Sequence, residues 1–343
     1  MLKRTALALL LMLSTAGWVA WQQYQNFLQQ SVAQSTTFTV AKGWGVKRIA
    51  NELRERGGIT SPLFFRFLVW QQKAGYLQAG TYQITQGMRP QDLLSLLSQG
   101  KVVSYRITFT EGVNLKELAN QFQAKGWQQQ SDHLLDGTLS SQLGDLLEPV
   151  AKGPVGSLEG RLFPTTYFYG AEEDGAGLIK RMARQLKLVM DRAWASRPKG
   201  YPLTRYEALI LASIIEKETG SGEERALISG VFHNRLKRKM KLQSDPTVIY
   251  GIPNYQGNIT RKHLRTPTPY NTYTMKGLPP TPICSPGEPA IVAAFHPAKT
   301  DALYFVARGD GTGRHRFAKT LKEHNRNVRR YLKQLRAQKQ RGS

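Results

Sequence analysis

The sequence predicts an α+β chain in three parts: an N-terminal membrane-spanning helix, small βα modules, and a mainly helical domain with a small β element. Three observations carry this. An uncharged apolar run, Thr5 to Trp21, follows Lys3 and Arg4. Three later stretches repeat one pattern of strand, glycine turn and helical stripe. From about residue 155 onward, long helical patterns begin at capping sequences. The boundaries read as 1–22 for an anchor, 23–36 for a linker or a helical extension of that anchor, 37–100 for a first module, 101–155 for a second βα unit with a connector, and 156–343 for the main domain.

The apolar run is about 17 residues long, at the lower limit for crossing a bilayer. Positive charge before it and none directly after it place the N-terminus in the cytoplasm and export the rest. Ser14-Thr15-Ala16 and Thr15-Ala16-Gly17 would suit a signal peptidase, but Trp18, Trp21 and Tyr24 form an interfacial belt that favours an uncleaved anchor.

Forty-eight Lys and Arg stand against 24 Asp and Glu, a formal net charge of +24. Such a field favours a polyanion: nucleic acid, anionic lipid headgroups or an acidic wall polymer. Export demotes nucleic acid. The densest basic runs, Arg235 to Lys241 and Arg326 to Arg341, read as solvated surface. A single cysteine, Cys284, leaves no intrachain disulfide and no CxxC zinc site, and no HExxH helix is present. Neither a metal nor another cofactor is expected.

The three repeats run Phe38-Thr39-Val40 to Gly43, Tyr82-Gln83-Ile84 to Gly87, and Ile107-Thr108-Phe109 to Gly112. Each leads into apolar positions on one helix face: Val46, Ile49, Ala50 and Leu53; Pro90, Leu93, Leu94 and Leu97; Leu115, Leu118, Ala119 and Phe122. Ser61 to Gln72 reads as a further helix. Residues 37–100 resemble a LysM-like domain, of the kind that binds N-acetylglucosamine polymers; a packing module without a ligand reads equally well.

In the main domain, Phe163 to Phe168 is aromatic and turn-like, and Leu178 to Trp194 is an amphipathic helix. Thr204-Arg205-Tyr206-Glu207 is a capping box opening a helix whose residues Ala208 to Ile215 are apolar apart from Ser213, so it should be buried on nearly all sides. Gly220 is its natural stop, and Ser221 to Glu224 reads as the next capping box. Glu216 and Glu218 fall in the last turn, about 200° apart around the axis, so they cannot face one site. The negative end of the helix dipole and partial burial both raise a carboxyl pKa there, which suits a general acid. The plainer reading pairs these acids with Lys217 or Arg225.

Downstream, Leu242 to Gly251 packs polar groups into a turn, with Asp245 placed to cap a helix begun by Pro246. Thr268 to Tyr273 and Gly277 to Pro282 form a proline-stiffened segment. Tyrosines on such loops can stack on sugar rings, and amides can bond hydroxyls and acetamides; simple packing explains each tyrosine as well. Ala290 to Phe295 reads as a helix, Ala302 to Ala307 as a strand, Gly309 to Gly313 as a turn, and Thr320 to Glu323 as a capping box opening a basic final helix.

Ala212-Ser213-Ile214-Ile215-Glu216-Lys217-Glu218-Thr219 resembles the hallmark segment of the YceG-like endolytic murein transglycosylases. So do Phe232-His233-Asn234-Arg235-Leu236, Leu242-Gln243-Ser244-Asp245-Pro246-Thr247, Tyr270-Asn271-Thr272-Tyr273, Gly277-Leu278-Pro279-Pro280 and Glu323-His324-Asn325, in order and spacing. The resemblance covers nearly the whole chain. It implies a lysozyme-like catalytic domain on a single-pass protein of the inner membrane, with that domain in the periplasm. It also implies internal cleavage of nascent peptidoglycan strands, leaving 1,6-anhydro-N-acetylmuramic acid ends and limiting strand elongation. The family's catalytic acid falls on Glu218. Gln243, Asp245, Tyr250, Asn271 and Tyr273 are candidates for positioning the glycan, and peptidoglycan synthases are candidate partners. Three rivals stand beside this: a hydrolase using Glu218 with Asp245, a non-enzymatic wall-binding scaffold, and a nucleic-acid binder suggested by charge alone.

Overall fold

The computed structural model describes residues 2–149, 157–171, 173–218, 222–253, 255 and 257–341. Gly220, Ser221 and the expected boundary at 155–156 lie outside the described residues. The fold is mixed α and β, mostly helical, and among the described residues its sheets are three two-stranded ones. The chain divides into two compact units, Met1–Ile107 with Phe168–Glu173, and Thr108–Tyr167 with Asp174–Ser343.

The first unit begins with α1 (Leu2–Gln29) and continues through β1 (Thr36–Val40), α2 (Val46–Glu55), α3 (Pro62–Gln71), β2 (Gly80–Ile84), α4 (Pro90–Ser98) and β3 (Ser104–Thr108, which runs on into the second unit). The repeats form as expected: Gly43, Gly87 and Gly112 hold φ of +84°, +88° and +81° at the three strand-to-helix turns, a conformation in which glycine carries no Cβ penalty. β1 pairs with β2 antiparallel, Phe38 opposite Tyr82, and both rings are fully buried. Around them pack Ile49, Leu53, Phe65, Leu68, Leu93 and Leu97.

Within residues 23–36 the helix runs on to Gln29, the helical extension that the linker reading allowed, and Tyr24, Phe27 and Val32 are buried in the module's core. Among the described residues no helix is long and apolar enough to cross a membrane.

The second unit holds α5 (Leu115–Ala124), α6 (Gln128–Asp136), α7 (Thr138–Leu143), α8 (Ala176–Ala195), α9 (Arg205–Glu218), α10 (Arg225–Lys237), α11 (Asp245–Tyr250), α12 (Arg261–Arg265), α13 (Glu288–Phe295), β5 (Tyr304–Ala307), β6 (His315–Ala318) and α14 (Leu321–Arg341). The stretch read as an aromatic turn ends instead in β4 (Thr166–Gly170), which pairs with β3. The expected boxes at Thr204/Glu207 and Thr320/Glu323 both form. Glu224 accepts the backbone N–H of His315 at 2.9 Å and faces its ring Nδ1 at 2.8 Å, while the box read for it with Ser221 falls outside the described residues.

Helix α9 is the axis of this unit. Tyr206 and every residue from Ala208 to Ile215 are buried. Helices α8, α10 and α13 supply the surrounding wall, through Val189, Met190, Ile228, Phe232, Ile291 and Phe295. Ser213, the polar interruption, donates to the Ile210 carbonyl at 2.7 Å and accepts the Ile283 N–H at 3.0 Å, so its burial leaves no polar group unsatisfied. Burying this helix fixes the position of its last turn.

Candidate active site

Glu216 and Glu218 leave that last turn in different directions. Glu216 accepts the Gly287 N–H at 2.9 Å and lies 3.5 Å from the Arg225 guanidinium, while Lys217 donates to the Gly112 carbonyl at 3.1 Å. Glu216 is thus a structural acid. Glu218 accepts the Ser244 hydroxyl at 2.5 Å and stands in the wall of a cavity of about 530 Å³. Burial pushes its carboxyl up to about 7, and the nearby Asp245 charge pushes the same way; the Ser244 hydrogen bond and the Arg235 charge oppose them without cancelling the rise.

Three structures build the other walls. The turn before α11 brings Gln243, Ser244 and Asp245. Its geometry is held by the Thr272 hydroxyl, which accepts the Ser244 N–H at 3.0 Å, and by the Thr272 carbonyl, which accepts the Gln243 N–H at 3.1 Å. Gln243 adopts φ +51°, a left-handed conformation costly for a residue with a side chain. Ser244 occupies the N-cap of α11 and Asp245 the first helical position, the reverse of the expected cap; the Ser244 hydroxyl bonds Glu218 rather than the helix end. The β5–β6 hairpin adds Tyr304, Phe305, Val306, Ala307 and His315. Helix α14 turns Leu321, His324, Asn325 and Val328 inward, one helical face at spacings of three and four.

Arg235 ties these walls together. It is buried, so its place in a solvated basic run is corrected. It donates to the Leu303 carbonyl at 2.6 Å, the Leu242 carbonyl at 2.7 Å and the Gln243 side chain at 3.3 Å, and its guanidinium lies over the Tyr304 ring. Tyr304 in turn stacks on His324. A buried cation with several acceptors fixes the loop and strand geometry about the acid.

Of the residues singled out in the sequence, Glu218, Gln243, Asp245 and Tyr273 meet at this cavity. The Tyr273 hydroxyl donates to Asp245 at 2.6 Å, and burial followed by the Asp245 carboxylate raises that phenol's pKa. Tyr250 and Asn271 do not line it. Asn271 is fully buried; its amide donates to the carbonyls of His263, Leu264 and Thr266, and its oxygen accepts the Tyr273 N–H. Tyr250 donates to Glu159 at 2.9 Å, beyond the far end of α11. Ser244, Arg235, Tyr304 and His324 were not singled out, although the polar segments containing the first, second and fourth were. A larger cavity of about 790 Å³ lies beside Glu148, Arg161 and Arg205, where Arg205 is paired with Glu148 and Asp191.

An acid that keeps its proton near neutral pH, in the wall of an open cavity mixing aromatic and polar side chains, marks a candidate general-acid enzyme for a polar substrate. The chain belongs to the YceG-like family, whose model matches residues 38–330. A Bacillus subtilis relative named endolytic murein transglycosylase is 34% identical over 312 residues, covering 87% of this chain and 85% of its own. A Streptococcus pneumoniae relative of the same name is 32% identical over 356 residues, covering 95% of this chain; the match spans 64% of that longer protein. The 2.6 Å crystal structure of a putative yceG-like protein from Listeria monocytogenes aligns with TM-score 0.58 and 29% identity, over 85% of this chain and 98% of the other.

Proposed function

We propose that this chain is an endolytic lytic transglycosylase of peptidoglycan, with Glu218 as its catalytic acid. Relatives carrying that activity in their names, matched over most of the chain, support the reaction class. The observation that carries the residue assignment is the Glu218 carboxyl, proton-bearing near pH 7 and exposed on the cavity beside Ser244.

The chemistry needs one carboxyl. Protonated Glu218 gives its proton to the glycosidic oxygen between N-acetylmuramic acid and N-acetylglucosamine. The bond from that oxygen to the muramic anomeric carbon breaks, and positive charge builds on the carbon. The carboxylate then accepts the proton of the muramic 6-hydroxyl as its oxygen closes on the same carbon. The 1,6-anhydro end forms, Glu218 is reprotonated and no water is consumed, unlike the two-carboxylate glycosidases. Gln243 and the Tyr273–Asp245 pair border the substrate, while Tyr250 and Asn271 brace the loops behind it.

The apolar run at the start of α1 supports anchoring in the inner membrane with the catalytic unit in the periplasm, where nascent strands and their synthases lie. Mass spectrometry of purified glycan treated with the wild type and with Glu218→Gln tests the function. Wild type should release fragments lighter by one water than hydrolysis products, and Glu218→Gln should release almost none. Fragments with reducing ends would point to hydrolysis with Asp245 as second carboxylate; full activity in Glu218→Gln would remove the assignment.

A further inference from the structure

The first unit presents an apolar face that its own core leaves uncovered. On α3, Leu63, Phe67 and Trp70, spaced i, i+4 and i+7, are 67%, 41% and 73% exposed. On α1, Trp18 and Trp21 are also exposed. The two helices enclose a groove of about 390 Å³ lined by Gly17, Ala20, Trp21, Tyr24, Leu63, Phe64 and Phe67. The helices are fastened rather than loosely apposed. The Tyr24 hydroxyl donates to Gln71 at 2.6 Å, and the Tyr24 ring packs edge-on to Phe67 at 5.1 Å. Phe67 continues the chain of rings to Trp70 at 5.5 Å.

This fastening sets a depth. The groove takes in Gly17, Ala20 and Trp21, the closing turn of the apolar run, so α3 lies alongside the level at which that run ends. Charge agrees: residues 1–107 hold 12 Lys and Arg against three Asp and Glu, and no acid occurs between Glu55 and Asp92. Exposed Arg66 and Lys73 flank the aromatic face on long apolar stems suited to reaching headgroups. Exposed tryptophan and phenylalanine beside exposed cations, on a stretch of chain that carries no acid, match the boundary between headgroups and acyl chains of an anionic bilayer.

We propose that α3 is an interfacial membrane helix: Leu63, Phe67 and Trp70 insert at the lipid boundary beside Trp18 and Trp21, and the groove between α1 and α3 takes acyl chain. The proposal rests on the membrane placement of α1. It gives the module a role in holding the chain at a fixed height on the membrane, separate from any glycan binding.

Cys284 is fully buried, so an introduced surface cysteine can be labelled selectively in the full-length chain. Three variants, Trp70→Cys, Leu13→Cys and Leu188→Cys, each receive an environment-sensitive nitrobenzoxadiazole dye. They are mixed with vesicles of phosphatidylethanolamine containing phosphatidylglycerol. Position 70 should brighten roughly twofold or more, shift to the blue and be quenched by lipid-borne quenchers, as should position 13 on α1. Position 188, half-exposed on α8, should stay dark. A response at 13 without one at 70 would overturn the role of α3 and leave the anchor intact. Silence at both would remove both. A blue shift at 70 that precedes vesicles and grows with protein concentration would mean that a second copy covers the face, which also overturns the proposal.

Discussion

Two glutamates of the second unit, Glu218 and Glu159, hold their protons for the same reason in opposite settings. Burial pushes each up to about 7. Glu159 is sealed: its two oxygens accept the Leu115 N–H, each at 3.1 Å, and one also accepts the Tyr250 hydroxyl at 2.9 Å. Among the described residues Glu218 takes one hydroxyl donor, from Ser244, and it borders the cavity. A displaced pKa therefore does not by itself tell a structural acid from the one proposed as catalytic; what separates them is whether a substrate can reach the carboxyl. The two are joined through α11, which carries Asp245 at one end, against the cavity, and Tyr250 at the other, against Glu159.

The comparison can be broken most forcefully at Glu218. Glu218→Gln should lower the rate of anhydro-end formation by roughly 10²- to 10⁴-fold, the usual worth of a general acid, measured by mass spectrometry of products. The same variant should be the more stable at neutral pH. The unfolded chain releases this proton near 4.5 and the folded chain holds it to about 7, so the wild type loses stability progressively across that window and keeps the deficit above it. Calorimetry should find Glu218→Gln more stable by about 1–3 kcal/mol at pH 8 and unchanged at pH 4. Ser244→Ala removes the hydroxyl donor to the acid. Its kcat should fall roughly ten- to a hundredfold with KM little moved, since a hydrogen bond to a charged group is worth about 1.5–3 kcal/mol. Tyr250→Phe should show the contrasting pattern, a stability loss of about 1–3 kcal/mol at pH 8 by denaturant titration, from an underserved buried carboxylate. Its kcat per folded molecule should stay within roughly threefold of wild type.

Much of this arrangement was legible before any coordinates. Local signals were reliable: the glycines at 43, 87 and 112, the capping boxes at Thr204 and Thr320, and the apolar surface of α9 all lie within a few residues of the structure they specify. The separation of Glu216 from Glu218 followed from helix periodicity alone. Long-range facts were not legible. No local pattern announces that β1 passes over a whole helix pair to reach β2, or that the hairpin after Ala302 folds over the end of α9. Arg235 lay in a basic run that reads as solvated, and only the carbonyls converging on it from Lys241, Leu242 and Leu303 show why it is buried. Asn271 and Tyr250 suited sugar recognition by residue type, yet each has its hydrogen-bonding capacity taken up inside the protein. Composition does not reveal which polar groups the fold has already paired.

The most direct measurement is kcat/KM on defined soluble glycan strands across pH 5 to 9, for the wild type and for Glu159→Gln. Glu218 must be protonated to act, so the rate should hold level below about 7 and then fall tenfold per pH unit, with the same falling limb in Glu159→Gln. A wild-type rate that stays constant or climbs through pH 8, or a falling limb that disappears when Glu159 is replaced, would contradict Glu218 as the acid.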